Sequence, residues 1–242
     1  MRFRILSAFV LSLLISAPAF ALGPVDIDLE VGGMKTGLSG EAKYKGDAIN
    51  LEDDLGLKDD EITMFVRGRL HVMMLGNIYA GYTPLKYEGD HTLAKAVTFG
   101  DTTFNLSDKV SSKVDLKMYD LGWTMTLIDA AVAEIELGVN AKFLDGTVSV
   151  NSQTAEFKAP VPMLKAVARV NVPLVTGEVD AMGIAYGDNH FYDVTGQVKV
   201  SPLPFFYGAV GYRYIDMQVK DGSSKKANIK SQGPFVAVGF DF

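Results

Sequence analysis

An apolar residue at every second position, sustained over ten or more residues, is the feature that most limits what this chain can become. In EITMFVRGRLHV, Ile62, Met64, Val66, Leu70 and Val72 share one parity. Glu61, Thr63, Arg67, Arg69 and His71 share the other, with Phe65 the exception. AVAEIELGVNAKF sets Ala133, Ile135, Leu137, Val139, Ala141 and Phe143 against Glu134, Glu136, Asn140 and Lys142. MLKAVARVNVPL sets Leu164, Ala166, Ala168, Val170 and Val172 against Lys165, Arg169 and Asn171. Side chains alternate across a strand and recur every 3.6 residues on a helix, so each segment is a strand with one greasy and one charged face. VDIDLEV and FYDVTGQVKV (191–200) read the same way, and no long stretch beyond the N-terminal segment keeps a helical period.

Both a soluble β-sandwich and a membrane barrel alternate in this manner. Strand length separates them, because segments of ten or more residues match a tilted membrane crossing and exceed the soluble mode of about five or six. The connections add to this. Long polar stretches at 39–60 and 89–112, and loops at NSQTAEFKAP, GDNH and KDGSSKKAN, alternate with tight turns at MLGN, IDAA, PLVTGE and SPLP. Long loops on one side and short turns on the other are how transmembrane barrels are strung. The expectation is an all-β, antiparallel, up-and-down transmembrane barrel of about ten strands, an even number that leaves both termini on the periplasmic side. Eight is the alternative, because the strand at 177–186 has only the faint apolar face of Val179, Ala181, Gly183 and Ala185.

The N-terminus fits an exported protein. MRFRILSAFVLSLLISAPAFA carries Arg2 and Arg4, a short apolar core and Ala19-Phe20-Ala21, the form of a secretory signal peptide over residues 1–21, leaving 22–242 as the barrel domain. Its apolar core is shorter than the roughly 20 residues a spanning helix needs. Removing it takes Lys+Arg from 23 to 21 (23 − 2) against 29 acidic residues, a net charge of −8 (21 − 29). An acidic chain without a basic stripe is a poor partner for nucleic acid. With no cysteine, lipoprotein anchoring and disulfides are both excluded.

In a barrel the charged faces turn inward. The expected lumen network contains Arg67 and Arg69, Asp120, Glu134, Glu136 and Lys142, Lys165 and Arg169, and Arg213, with Asp26, Asp28, Glu30, His71, Asp193, Lys199 and Asp241 on the same phase. Acids and bases are mixed, so the lumen can close on its own ion pairs, and barrels of about eight strands are narrow enough for side chains to fill. Tyr119, Trp123, Phe205, Phe206, Tyr207, Tyr212, Tyr214, Phe240 and Phe242 fall on outward phases or near strand ends, as interfacial aromatics would.

DDLGL (53–57), LGVNAKFLDGTVSV (137–150), APVPMLKAVARVNVPL (159–174), FYDVTGQV (191–198) and the GYRY from Gly211 together resemble a family of small, largely uncharacterised outer-membrane β-barrel proteins of Gram-negative bacteria. The resemblance implies a barrel in the outer membrane and no particular reaction. The closing GPFVAVGFDF, with Val238, Phe240 and Phe242 on one parity, is similar to the signal read by the outer-membrane assembly machinery.

Two chemical readings are weaker. Asp90-His91 and Asp188-Asn189-His190 lie in expected extracellular loops, where an omptin-like protease would hold Asp and His around a water, but sequence supplies no geometry for such a pair. LEDDLGLKDDE is rich in oxygen ligands without matching an EF-hand, and such runs are ordinarily solvated. The expectation is therefore no catalytic, metal or cofactor site, with a structural or surface-interaction role in contact with outer-membrane lipid and lipopolysaccharide. A narrow, porin-like pore for small solutes is the alternative, and an enzyme at the rim the less favoured one.

Overall fold

The computed structural model describes residues 25–242 except 45–47, 53, 55, 58–60, 74, 94–95, 100–101, 106, 152 and 222–224. The segment expected to be a signal peptide, residues 1–21, and part of the acidic run lie outside the described residues. Ten long antiparallel strands form one ring: β1 Val25–Tyr44, β2 Glu61–Val72, β3 Gly76–Thr92, β4 Lys109–Ala130, β5 Ala133–Val150, β6 Gln153–Val172, β7 Val175–Tyr186, β8 Asn189–Leu203, β9 Phe206–Asp221 and β10 Lys225–Asp241. Each pairs with its neighbour in sequence, and β10 pairs with β1 from Asp28↔Asp241 to Tyr44↔Lys225, which closes the barrel. The strand with the faintest pattern, β7, is a full member, paired on both sides.

Following the pairing once around the ring gives the tilt. From Asp26 the ladder runs through His71, Asn77, Thr124, Gly138, Lys165, Met182, Asp193, Ile215 and Ser231 back to β1 at Leu38, a displacement of 12 residues (38 − 26). Twelve residues at ~3.3 Å each, spread over ten strands ~4.8 Å apart, incline the strands by about 40° to the axis. At that tilt the outward apolar row of β5 from Ala133 to Phe143 rises about 25 Å, the height of a hydrocarbon band.

Above that band the strands continue and exchange their faces. On β4 the outward residues Tyr119, Leu121, Trp123, Met125 and Leu127 are apolar, with Asp120 and Thr124 turned inward. Farther from the end that carries Phe242, the same outward parity carries Lys109, Lys113, Asp115 and Lys117, while Val110, Val114, Leu116 and Met118 are buried inside. β5 turns over between Phe143 and Leu144, β3 between Thr83 and Leu85, and β9 between Arg213 and Ile215. The barrel thus has two storeys, a lower one that is apolar outside and charged inside, and an upper one that is polar outside and apolar inside. An apolar outer wall suits hydrocarbon and a polar one suits water, so the two storeys are fitted to different surroundings.

This upper storey corrects the expected loops. Much of 39–60, 89–112, NSQTAEFKAP and KDGSSKKAN is strand, because a wall with a water-facing polar side and a packed apolar interior is stable without lipid. Two places remain low. β2 pairs with β3 only between Val66↔Tyr82 and Val72↔Gly76, and the β7–β8 hairpin ends at Tyr186↔Asn189. At the first gap, part of the acidic connection folds down as a cap: Ile49, Leu51 and Leu57 are buried in the apolar cluster with Leu38, Leu85 and Tyr87. An Asx turn, Glu52 N–H donating to Asn50 Oδ1 at 2.9 Å, and backbone bonds from Asp54 to Asn50 and from Gly56 to Glu52 shape it. Gly56 has φ +60°, and a Cβ on Gly89 would collide with its carbonyl, so both glycines are needed for this approach. The described part of this run is a cap on the interior, where a solvated loop was expected.

Candidate functional site

The lower storey is the candidate site, since it brings all nine expected lumen charges into one interior. Period-two parity carries them there, because β2, β4, β5, β6 and β9 each place their charged row on the inner wall.

Two clusters divide the lumen. Near the periplasmic end Arg169 is the hub. Its Nε donates to Glu178 at 2.6 Å, its Nη2 to the Tyr79 hydroxyl at 2.7 Å, and its Nη1 lies 3.2 Å from Glu134 and also reaches Glu136. Glu136 is fully buried and also accepts from Tyr79 at 2.7 Å and from Thr124, with Arg69 at 3.8 Å. Lys199 donates to Asp28 at 2.9 Å and lies 3.4 Å from Glu178. Arg67 pairs with Glu30 and donates to Gln197 at 3.2 Å. Nearer the membrane's outer boundary, Lys142 is fully buried between Asp120 at 2.7 Å and Asp193 at 3.0 Å. Arg213 holds the same Asp193 with two bonds, at 2.9 and 2.7 Å, and donates to Thr83 at 2.8 Å. Lys165 pairs with Asp180 and lies over the Tyr79 ring at 4.3 Å.

Buried charge is tolerable only when paired and hydrogen-bonded, and here each cation meets a carboxylate. Among the described residues, two voids of about 40 Å³ each lie between these groups, one around Arg67, Arg169 and Glu178, the other around Asp120, Lys165 and Arg213. Either volume suits a water or two rather than a solute. Asn140 Oδ1 and Asp180 Oδ1, without hydrogen-bond partners, belong to residues lining the second void. Where the charges end, Arg67 lies 4.8 Å from the Phe65 ring and 5.2 Å from Phe235, and those two rings meet edge to face at 5.3 Å. Phe65, the exception in its strand's alternation, is thus the inward residue at which the interior turns apolar.

Several lumen residues escaped the sequence reading. Glu178 and Asp180 sit on β7, where Thr176, Glu178 and Asp180 share a parity that the weak opposite face obscured. Tyr79 and Gln197 are uncharged and signalled only by phase. Tyr207, expected at the interface, is buried inside with its hydroxyl donating to Asp28 at 2.6 Å, and its ring lies where a Cβ on Gly239 would be. The histidines do not converge. His91 on β3 and His190 on β8 stand on opposite walls, with four strands between them in either direction. His190 Nε2 meets Asp216 at 3.3 Å on the outer wall, where Asp216 also accepts from Tyr214 at 2.8 Å. Asp188 instead pairs with Lys220 at 3.0 Å.

No protein-family model matches the chain, and no curated protein matches it in sequence. Solved structures match its shape. The outer membrane protease OmpT of Escherichia coli superimposes with a TM-score of 0.53 at 9% identity, covering 94% of this chain and 99% of that one. The translocator domain of the autotransporter NalP from Neisseria meningitidis gives 0.43 at 10% identity over 99% and 96%. Neisserial surface protein A gives 0.38 at 10% identity over 89% and 97%. These neighbours are outer-membrane barrels of Gram-negative bacteria, and the OmpT match establishes a shared closed ten-stranded fold.

Proposed function

We propose that this protein is an integral outer-membrane barrel with a sealed lumen, whose role is structural or interactive at the cell surface and not conductive or catalytic. The observation that carries this reading is the shared carboxylate of Asp193 on β8, held at once by Lys142 of β5 and Arg213 of the neighbouring β9. Opening it would separate two fully buried, oppositely charged groups that stand in a desolvated interior, where their attraction is little screened. Outer-leaflet lipid, including lipopolysaccharide, is the partner implied by the apolar band and the charged residues above it. The assembly machinery is the partner implied by Val238 and Phe240 on β10 and Phe242 just beyond it, which share the outward parity.

Planar-bilayer recording tests the reading. The folded protein is expected to give no unitary steps. Clean unitary currents that vanish on substituting Arg67 or Arg69 would establish the pore reading in its place.

A further inference from the structure

The outward apolar band has unlike edges. Its extracellular edge is charged, with Lys117 above Tyr119, Asp145 above Phe143 and Asp216 above Tyr214. Its periplasmic edge has no charged outward residue among the described ones, and it runs without a break into the turns. Those turns expose apolar side chains of their own: Met73 and Leu75 between β2 and β3, Val132 between β4 and β5, where Asp129 is exposed as well, Leu174 between β6 and β7, Leu203 at the end of β8 and Phe205 between β8 and β9. Leu174 and Leu203 are 65% and 63% exposed, an unusual setting for leucine at a turn meant for water.

Backbone conformation sharpens the point. Leu174 and Phe205 have φ of 67° and 69°, the left-handed region that glycine or asparagine would occupy without strain. A bulky apolar residue has been kept at both turn tips despite that cost. Between them lies a groove of about 440 Å³ lined by Val172, Leu174, Pro202, Leu203, Pro204 and Phe205 among others. Phe205 packs toward Phe240 at 6.3 Å, and Phe240 meets Phe206 at 4.9 Å and Phe242 at 4.8 Å, so this turn is fastened to the outer wall by aromatic contact. Trp123 fastens another in the same way, its indole N–H donating to the Leu75 carbonyl at 2.7 Å.

We infer that the periplasmic turns are a membrane-binding surface, inserted among the phospholipids of the inner leaflet rather than projecting into the periplasm. Two observations select lipid over a protein partner. The apolar turns are spaced around the whole rim, whereas a docked protein would bury one sector. They are also continuous with the lipid-facing band, with Val172 leading into Leu174 and Val200 into Leu203. Apolar side chains at this depth give up their hydration to acyl chain and headgroup contacts. The barrel is thereby held low, and its upper storey stands clear of the outer leaflet.

This inference rests on the membrane reading above, and a cysteine-free chain allows both to be tested together. Nitroxide labels at Leu174→Cys, Leu203→Cys, Val139→Cys in mid-band and Lys113→Cys on the upper wall are compared in phosphatidylethanolamine–phosphatidylglycerol vesicles. The readout is collision with oxygen, which concentrates in lipid, against a water-soluble nickel chelate. Nickel accessibility at Leu174 and Leu203 is expected to fall several-fold below that at Lys113 and to approach that at Val139. Turn labels as open to nickel as Lys113, with Val139 still shielded, would overturn the inference and leave the membrane reading intact. A mid-band label open to nickel would overturn both.

Discussion

The hydroxyls of Tyr87 and Ser231 lie 2.9 Å apart in the upper storey, joining β3 to β10 across the apolar interior. Both residues are almost completely buried, so the bond between their hydroxyls is made in a desolvated interior. A buried hydroxyl left unsatisfied costs about 1–3 kcal/mol, while a net hydrogen bond contributes about 1 kcal/mol. Tyr87→Phe and Ser231→Ala should each lower unfolding stability by about 1–2 kcal/mol, and the double variant by less than their sum. Urea titration of the detergent-solubilised protein measures the cycle, and strict additivity would mean that the two walls are not coupled through this pair.

Arg169 tests the lower storey. Replacing it with methionine keeps most of its volume but takes the nearest cation from Glu136, which is fully buried, and from Glu178 and Glu134, leaving them only Arg69 and Lys199 at 3.4–4.0 Å. Removing one partner of a buried pair typically costs about 3–5 kcal/mol. Arg169→Met should therefore lower the unfolding midpoint sharply, with partial recovery when Glu136→Gln is added. Lys113→Ala provides the contrast, since Lys113 and Glu88 form an exposed pair on the upper wall that water and salt screen, and no measurable change is expected. Equal effects of the two substitutions would contradict a desolvated lumen.

What the sequence disclosed and what it hid have the same origin. Parity holds along an unbroken stretch of strand, so the nine charges of the expected network, from Arg67 to Arg213, lie in the lower interior, while Asp26 and Asp241 on the same phase are exposed. Parity does not say which side faces water, however. Val110, Val114, Leu116 and Met118 share their phase with Asp120, and reading outward as apolar throughout could not place all five on one wall. The exchange at Met118 and Tyr119 is visible only as a reversal of polarity at constant period, and strand beyond it looks like polar loop. Tyr207 was misplaced for a related reason. Phase near the β8–β9 turn is interrupted, since the register shifts between Val200 and Leu203. The burial of Leu51 and Leu57 depends on a close approach between Gly56 and Gly89, which are far apart in sequence.

That approach makes the cap separable from the barrel. A Cβ at Gly89 would overlap the Gly56 carbonyl, so Gly89→Leu should unseat the connection carrying Leu51 and Leu57 while leaving the strand ladders closed. The expected result is faster cleavage within residues 51–60 by protease added to intact cells, with the heat-modifiable gel mobility of a folded barrel retained. Unchanged protection would show that the cap is held by other contacts, and loss of heat-modifiable mobility would show that it is needed for closure.

Phe242 closes the ring. Its backbone N–H donates to the Ile27 carbonyl at 3.0 Å and its carbonyl accepts from the Ile27 N–H at 2.7 Å, while its ring meets Phe240 at 4.8 Å on the outer wall. Deleting Phe242 removes the seam bonds and the ring together. Phe242→Ala keeps the backbone bonds and removes the ring alone. If Val238, Phe240 and Phe242 are read as side chains by the assembly machinery, both variants should reach the periplasm at normal levels yet accumulate there unfolded. Fractionation followed by the heat-modifiability assay separates export from insertion. Normal insertion of Phe242→Ala beside failure of the deletion would assign the terminus to the seam alone, and normal insertion of both would remove it from assembly altogether.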